Sequence, residues 1–477
     1  MSPLLQLSAT ELARRIRERE CSSVEVVEAH IQQLLAVNPR INAVVAERLE
    51  AAREEAEAAD QQAERTPGFL PPLLGVPCTI KECFAVQGMP QCAGLVARKD
   101  YRAEVDATTV ARLRAAGAIV LGVSNTSELC MWMETNNRVY GRTNSPYDSG
   151  RIVGGSSGGE GAIVACGASP FGLGSDVGGS IRMPAFFNGV FGHKPTGGLV
   201  PSTGQFPIVD PAAGRILSTG PLCRRAEDLM PLVELLAGPD GQDPSCAEMP
   251  LGNPSTVDVA RLKVINVRSD GRNRVHGSLQ KAQTDCLDHL DNLGCNIKEG
   301  HFTGLSSSFD IWSSMFGAAE SRGKFRQMLG DKRPLDLLGH LVLWALRLSP
   351  HTLPALGLGL LEDIGHWMPR RSARMIAHGQ RLKSELIEAI GDGVLLYPSY
   401  PSPAPRHGHP LFPPLQWVYT AILNVMELPV TQVPLGLDAK GRPVGIQVVA
   451  GPGRDHVSIA VALELERAFG GWVPPKQ

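Results

Sequence analysis

Three short stretches of this chain hold residue types that do chemistry together. Lys81 closes an apolar run in Gly75-Val76-Pro77-Cys78-Thr79-Ile80-Lys81-Glu82. Gly154-Gly155-Ser156-Ser157-Gly158-Gly159 follows, and then Gly174-Ser175-Asp176-Val177-Gly178-Gly179-Ser180-Ile181-Arg182. A lysine at the end of a buried strand is poorly solvated, which favours the neutral amine and makes it a usable base near neutral pH. A serine hydroxyl is a weak nucleophile until such a base takes its proton. Glycines ahead of a serine let backbone N–H groups converge on one point, because no side chain blocks the approach. Val177, Gly178, Gly179 and Ser180 offer four consecutive N–H donors for an oxyanion.

Each stretch alone has a plainer reading. A lysine after a strand is commonly a chain exit. Gly-Gly-Ser-Ser-Gly-Gly also suits a phosphate nest or a flexible loop. No G-x-x-x-x-G-K-[ST] follows, so a P-loop is excluded. Gly155-x-Ser157-x-Gly159 matches the short nucleophile-elbow pattern. Ser278-Leu279-Gln280-Lys281 matches S-x-x-K, but within a polar surface helix and without partner motifs.

The elements that must position these residues follow from periodicity. Ser8-Ala9-Thr10-Glu11 is a capping box that opens a helical pattern to Val37, broken at Cys21-Ser22-Ser23. Ala46 to Arg65 reads as a further helix with a solvated face. The Pro- and Gly-rich chain from Pro67 to Pro77 leads into a buried strand at Val76 to Ile80. Thr108 to Ala116 is helical, and Ala118 to Val123 is an apolar strand. From Asn144 to Gly204, Gly, Ser and Pro dominate while Ile163, Val164, Phe171, Leu173, Phe186 and Phe187 recur, which predicts tight turns packed around a site rather than disorder. Arg261 to Val267 and Gly393 to Tyr397 read as strands, with a helix at Ala282 to Leu293 between them. Asn424 to Val449 alternates short apolar runs with Pro and Gly, and His456 to Phe469 is an amphipathic helix. Helices mixed with buried strands predict an α/β fold. Leu335 to Leu361 is dense in Leu, Val, Trp and Gly, broken by Pro350 and Pro354, and followed by Arg370, Arg371 and Arg374. It reads either as a buried helical hairpin or as a surface hairpin whose apolar side dips into a membrane interface.

Composition narrows the classes. The 477 residues are 43% hydrophobic and 20% charged, with a formal net charge of −2, so no basic face for nucleic acid is implied. Ten scattered cysteines without a C-x-x-C predict reduced thiols rather than a disulfide framework or a metal site. The sequon Asn125-Thr126-Ser127 sits among apolar residues and is taken as chance. No signal-peptide pattern opens the chain, and no apolar run of about eighteen residues spans a membrane.

Taken together, Lys81, Ser156 and Ser180 in their Gly/Ser-rich setting resemble the amidase-signature family. The resemblance extends to Leu428-Pro429-Val430-Thr431-Gln432-Val433-Pro434-Leu435-Gly436 and Gly441-Arg442-Pro443-Val444-Gly445-Ile446-Gln447-Val448-Val449, and so spans nearly the whole chain. Within the family, Ser127-Glu128-Leu129-Cys130-Met131-Trp132, Ile181-Arg182-Met183-Pro184-Ala185-Phe186-Phe187-Asn188-Gly189, Gly192-His193-Lys194-Pro195 and Phe469-Gly470-Gly471-Trp472 are similar to the fatty-acid amide hydrolases. The resemblance implies one domain over residues 1–477: a large twisted mixed sheet with helices on both faces, a catalytic core at about 70–210 and an apolar hairpin insertion at about 331–365.

It also implies a Ser–Ser–Lys triad that hydrolyses fatty acid amides (primary amides and N-acylethanolamines) through an acyl-enzyme. Ser180 would be the nucleophile, Ser156 the proton shuttle after a cis Gly155–Ser156 bond, and Lys81 the base. Val177, Gly178, Gly179 and Ser180 would form the oxyanion hole, and Cys130 would line the substrate site through its backbone. Ser157, Asp176 and Arg182 would orient the loops. No metal and no other cofactor is expected. The implied partners are a lipid amide, a membrane or lipid-droplet surface and a second copy of the chain, and no nucleic acid. The implied location is intracellular, on a membrane or a lipid droplet. Fatty-acid amide hydrolases generally carry an N-terminal membrane segment that this sequence does not show, so either the segment was removed or docking is expected through the Leu335 to Leu361 hairpin alone. Rival readings are a short-chain or peptide amidase, the glutaminase subunit of a tRNA-dependent amidotransferase, and a non-enzymatic scaffold.

Overall fold

The computed structural model describes residues 2–65, 68, 70–321, 323–367, 369–411 and 415–476. Pro67, at the start of the predicted linker, lies outside these residues. The strands are β1 (Val44–Glu47), β2 (Pro77–Lys81), β3 (Ile119–Ser124), β4 (Asn136–Asn137), β5 (Gly141–Arg142), β6 (Phe171–Asp176), β7 (Phe191–Lys194), β8 (Ser218–Cys223), β9 (Lys263–Asn266), β10 (Asn296–Glu299), β11 (Val394–Tyr397), β12 (Val430–Leu437) and β13 (Pro443–Ala450). β4 and β5 pair alone. The rest form one eleven-stranded sheet in the order β1-β3-β2-β6-β8-β7-β12-β13-β11-β9-β10. The sheet is mixed: β3, β2 and β6 run parallel, as do β11, β9 and β10, while the strands between them are antiparallel. β2, β3, β6 and β8 are buried at every position, which is why the chain reads as apolar at Val76 to Ile80 and Ala118 to Val123 instead of alternating.

The predicted helix at Ala46 to Arg65 is shorter than expected. Its first residues belong to β1, which pairs antiparallel with β3, and the helix runs Leu49–Arg65. The cause is tertiary. The absence of a side chain at Gly122 lets β1 close on β3, where a Cβ would lie 2.4 Å from Ala46 O. The Ser8–Val37 pattern divides into Ala9–Arg17 and Ser23–Ile41. Ser8 caps the first helix, and the reciprocal capping box forms on the second, between Ser22 and Glu25. The helix expected at Ala282 begins earlier, at Gly277, because His276 supplies its cap.

The Gly- and Ser-rich stretch is packed. Every residue from Ile152 to Pro201 is buried except the half-buried Val177. The apolar stretch from Leu335 to Leu361 falls in helices Leu337–Ala345 and Leu353–Trp367. They turn on Arg347, which has a left-handed backbone (φ 63°). Leu329, Leu335, Leu337, Ala355 and Leu356 join Leu95 and Leu129 in a small core of their own. One face of the hairpin stays outside: Leu338, Val342 and Leu346 are 71%, 63% and 62% exposed, at helical spacing. Among the described residues no helix is long and apolar enough to cross a membrane.

Candidate active site

Lys81 ends β2 and is fully buried. Its Nζ donates to Ser156 Oγ at 2.7 Å and to Ser175 Oγ at 2.9 Å. No carboxylate among the described residues forms an ion pair with it, so the site supplies hydroxyls where a charged lysine would want a counter-ion. Ser175 had no role in the sequence reading. β6 lies beside β2 in parallel register, with Ile80 opposite Leu173, and this brings Ser175 to the lysine.

Ser156 follows a cis Gly155–Ser156 peptide and precedes the helix Gly158–Ala165. A Cβ at Gly155 would lie 2.4 Å from Trp132 O, so the loop closes only around glycine. Ser180 lies in the turn between β6 and the helix Arg182–Phe187, at the carboxyl ends of the parallel strands β2 and β6. That edge is where open α/β sheets bind their ligands. The Ser157 N–H donates to the Ser180 carbonyl at 3.1 Å, which ties the two serine loops together. Among the described residues no hydrogen bond joins Ser156 Oγ to Ser180 Oγ. Catalytic hydrogen bonds of this kind often tighten only when substrate is bound.

The turn carrying Ser180 is held from below by a buried ion pair. Asp176 and Arg182 are fully buried, with Arg182 donating to both carboxylate oxygens at 3.0 Å. The Gly179 N–H donates to Asp176 Oδ1 at 2.6 Å and the Ile181 N–H to Oδ2 at 3.0 Å. Burial pushes the Asp176 carboxyl up, but the Arg182 guanidinium and these donors outweigh it and hold it well below the carboxylate range. Arg182 then bonds Thr420 O, Gln447 Oε1 and Asn424 Oδ1.

One expectation changes here. Of the four N–H donors counted from sequence, Gly179 is spent on Asp176, so it tightens the turn instead of facing the cleft. No intramolecular hydrogen bond among the described residues takes the N–H of Gly178 or Ser180. Gly179 must be glycine: its φ is +115°, and a Cβ would lie 2.0 Å from Thr420 Oγ1. Ser157, the serine of the nucleophile-elbow pattern, turns its hydroxyl to the Ser175 backbone. Behind Lys81, Thr79 Oγ1 donates to Glu160 Oε2 at 2.6 Å, and burial pushes the Glu160 carboxyl up to about 7.

Ser180 opens onto an apolar cleft walled by Cys130, Trp132, Met183, Trp312, Leu358 and Trp417. Trp312 donates to the Val177 carbonyl at 3.1 Å and meets Trp417 edge-on at 4.7 Å. Cys130 has a left-handed backbone (φ 59°). Burial pushes its thiol up, but hydrogen bonds with Cys83 and with the Thr126 and Ser156 hydroxyls outweigh this and hold it below the ordinary thiol range. Trp312 and Trp417 come from distant chain segments and carry no motif, so nothing in the sequence marked them, whereas Leu358 lies in the apolar stretch Leu335 to Leu361. The S-x-x-K match lies elsewhere, with exposed Lys281 bonded to Asp285. Among the described residues no group of His, Cys, Asp and Glu is placed to hold a metal ion.

A family model described as Amidase matches residues 25–458. Fatty-acid amide hydrolase 2 of Homo sapiens is 46% identical over 490 residues, spanning 99% of this chain and 91% of that one. Fatty-acid amide hydrolase 2-A of Danio rerio is 46% identical over 494 residues, with the same coverage. Among solved structures, 6-aminohexanoate cyclic dimer hydrolase complexed with substrate superposes with a TM-score of 0.79 at 27% identity, covering 98% of this chain and 97% of that one.

Proposed function

Because the chain belongs to the amidase family, we propose that it hydrolyses fatty acid amides through an acyl-enzyme on Ser180, with Ser156 as proton shuttle and Lys81 as base. The observation that carries this reading is the buried Lys81–Ser156 hydrogen bond lying beneath an apolar cleft that Ser180 lines. The two relatives named as fatty-acid amide hydrolases support the substrate class.

Ser180 Oγ attacks the amide carbonyl while its proton passes to Ser156 and the Ser156 proton passes to the neutral Lys81 amine. The N–H groups of Val177, Gly178 and Ser180 receive the oxyanion, on a turn that Asp176 already holds in shape. The proton then returns through Ser156 to the leaving nitrogen, since an amine leaves only once protonated. Water repeats the route on the acyl-enzyme and releases the fatty acid. Trp312, Trp417, Met183 and Leu358 give the acyl chain an apolar wall.

The same reading makes the chain one domain with its insertion as a cap and membrane contact. The exposed row Leu338, Val342 and Leu346 supports the membrane contact, with Leu348 beside it at 68% exposure. Arg347 at the turn and Arg370, Arg371 and Arg374 beyond it are exposed cations suited to anionic headgroups.

The test compares a long-chain primary amide such as oleamide with a short-chain amide, using Ser180→Ala as the blank. A strong preference for the long chain, lost in Ser180→Ala, is expected. Preference for the short amide would remove the lipid assignment, and retained turnover in Ser180→Ala would remove the nucleophile.

A further inference from the structure

Cys130 and Leu358 form part of the cleft wall but belong to segments far apart in the chain: a short helical turn, Glu128–Cys130, and the second hairpin helix, Leu353–Trp367. The structure joins them through one side chain. Glu128 is 2% exposed, and it sends one carboxylate oxygen to each of two groups on the hairpin. His351 Nδ1 lies 2.7 Å from Oε1, and the Thr352 N–H donates to Oε2 at 2.7 Å. His351 is itself buried, and its ring meets that of His340 edge-on at 5.1 Å. Thr352 starts the helix, because its carbonyl accepts from the Leu356 N–H. A carboxylate at this end of a helix also meets the positive end of its dipole.

The neighbours of Glu128 complete the joint. Leu129 turns into the small core with Leu337, Ala355 and Leu356, fully buried. The next residue, Cys130, faces the cleft. Leu129 and Cys130 both hold left-handed backbone (φ 50° and 59°), a conformation that non-glycine residues keep only when their surroundings enforce it. One short turn thus places Cys130 on one side of the cleft and grips the helix that carries Leu358 to the other.

We infer that Glu128 is a positioning residue for the acyl-binding wall: by clamping His351 and Thr352 it sets where Leu358 stands against Cys130, and so which acyl chains the cleft accepts. The inference rests on the fatty-amide reading above, but the clamp itself is testable without it. Replacing the carboxylate by an amide weakens the bond to Thr352, while among the described residues no hydrogen bond joins it to Ser180, Ser156 or Lys81.

The experiment compares wild type, Glu128→Gln, His351→Leu and His351→Asn on oleamide and on a short-chain amide. It also follows the rate of tryptic cleavage after the exposed Arg347. Glu128→Gln and His351→Leu should raise KM for oleamide about tenfold, leave the short amide within twofold, and speed cleavage at Arg347 severalfold. His351→Asn keeps a donor near the Nδ1 position and should restore both readouts. Unchanged oleamide KM, an equal loss on both amides, or no rescue by Asn would overturn the positioning role. If Glu128→Gln fails to fold, the two His351 variants decide the question. If wild type cleaves neither amide, the fatty-amide reading fails instead, and the tryptic rate alone decides the clamp.

Discussion

Replacing Lys81 by Met tests the proposed base most directly. Met keeps the apolar stem that packs at the end of β2 and removes only the amine, which reaches Ser156 Oγ at 2.7 Å and Ser175 Oγ at 2.9 Å. Two buried hydroxyls lose a partner, at a cost of about 1–3 kcal/mol, which a chain of this size tolerates while still folding. A general base contributes roughly 10²–10⁴-fold to rate, or about 3–5 kcal/mol of barrier at 1.36 kcal/mol per decade. The kcat/KM for oleamide should therefore fall by about that factor, and labelling by a fluorophosphonate should slow with it. A thermal melt confirms that the variant is folded. Lys81→Arg should lose as much, because a guanidinium does not give up its proton near neutral pH. A folded Lys81→Met or Lys81→Arg enzyme within fivefold of wild type would refute the assignment and move the base elsewhere.

Three other outcomes follow from the same geometry. Asp176→Asn leaves Arg182 buried without its counter-charge, so it should cost about 3–5 kcal/mol in a denaturant titration. It should also impair turnover by loosening the Gly179 and Ile181 N–H contacts; an unchanged midpoint would contradict this. Glu160 has a folded pKa of about 7 against 4.5 unfolded, so the fold binds a proton there that the unfolded chain releases. Stability from this group is therefore present at pH 4.5 and is lost as pH rises through 7. Glu160→Gln should flatten that segment of a stability–pH profile and gain up to about 3 kcal/mol at pH 8; an unaltered profile would refute it. The triple change Leu338→Ser, Val342→Ser, Leu346→Ser removes three exposed apolar side chains worth roughly 1.5–3 kcal/mol each when fully buried. With partial insertion at about 1 kcal/mol each, cosedimentation with anionic vesicles should drop about 100-fold, and undiminished binding would place membrane contact on another face.

Local chemistry was legible in the sequence because it depends on neighbours in the chain. The buried strand ending in Lys81, the glycine runs around Ser156 and Ser180, the break between the first two helices and the apolar insertion all follow from side-chain type, periodicity and backbone freedom. The family emerged from the same residues. Other features needed the tertiary structure, because they are contacts between segments that only the sheet brings together. Ser175 reaches Lys81 because β6 lies beside β2 in a particular register. Gly179 loses its N–H to Asp176 because an ion pair under the turn draws it inward. Trp312, Trp417 and Leu358 converge on Ser180 from elements with no shared pattern. The periodicity of the insertion did not say which face is outside. Packing against Leu95 and Leu129 settled that, because a helix in the insertion has apolar residues enough for two faces and the core can cover only one.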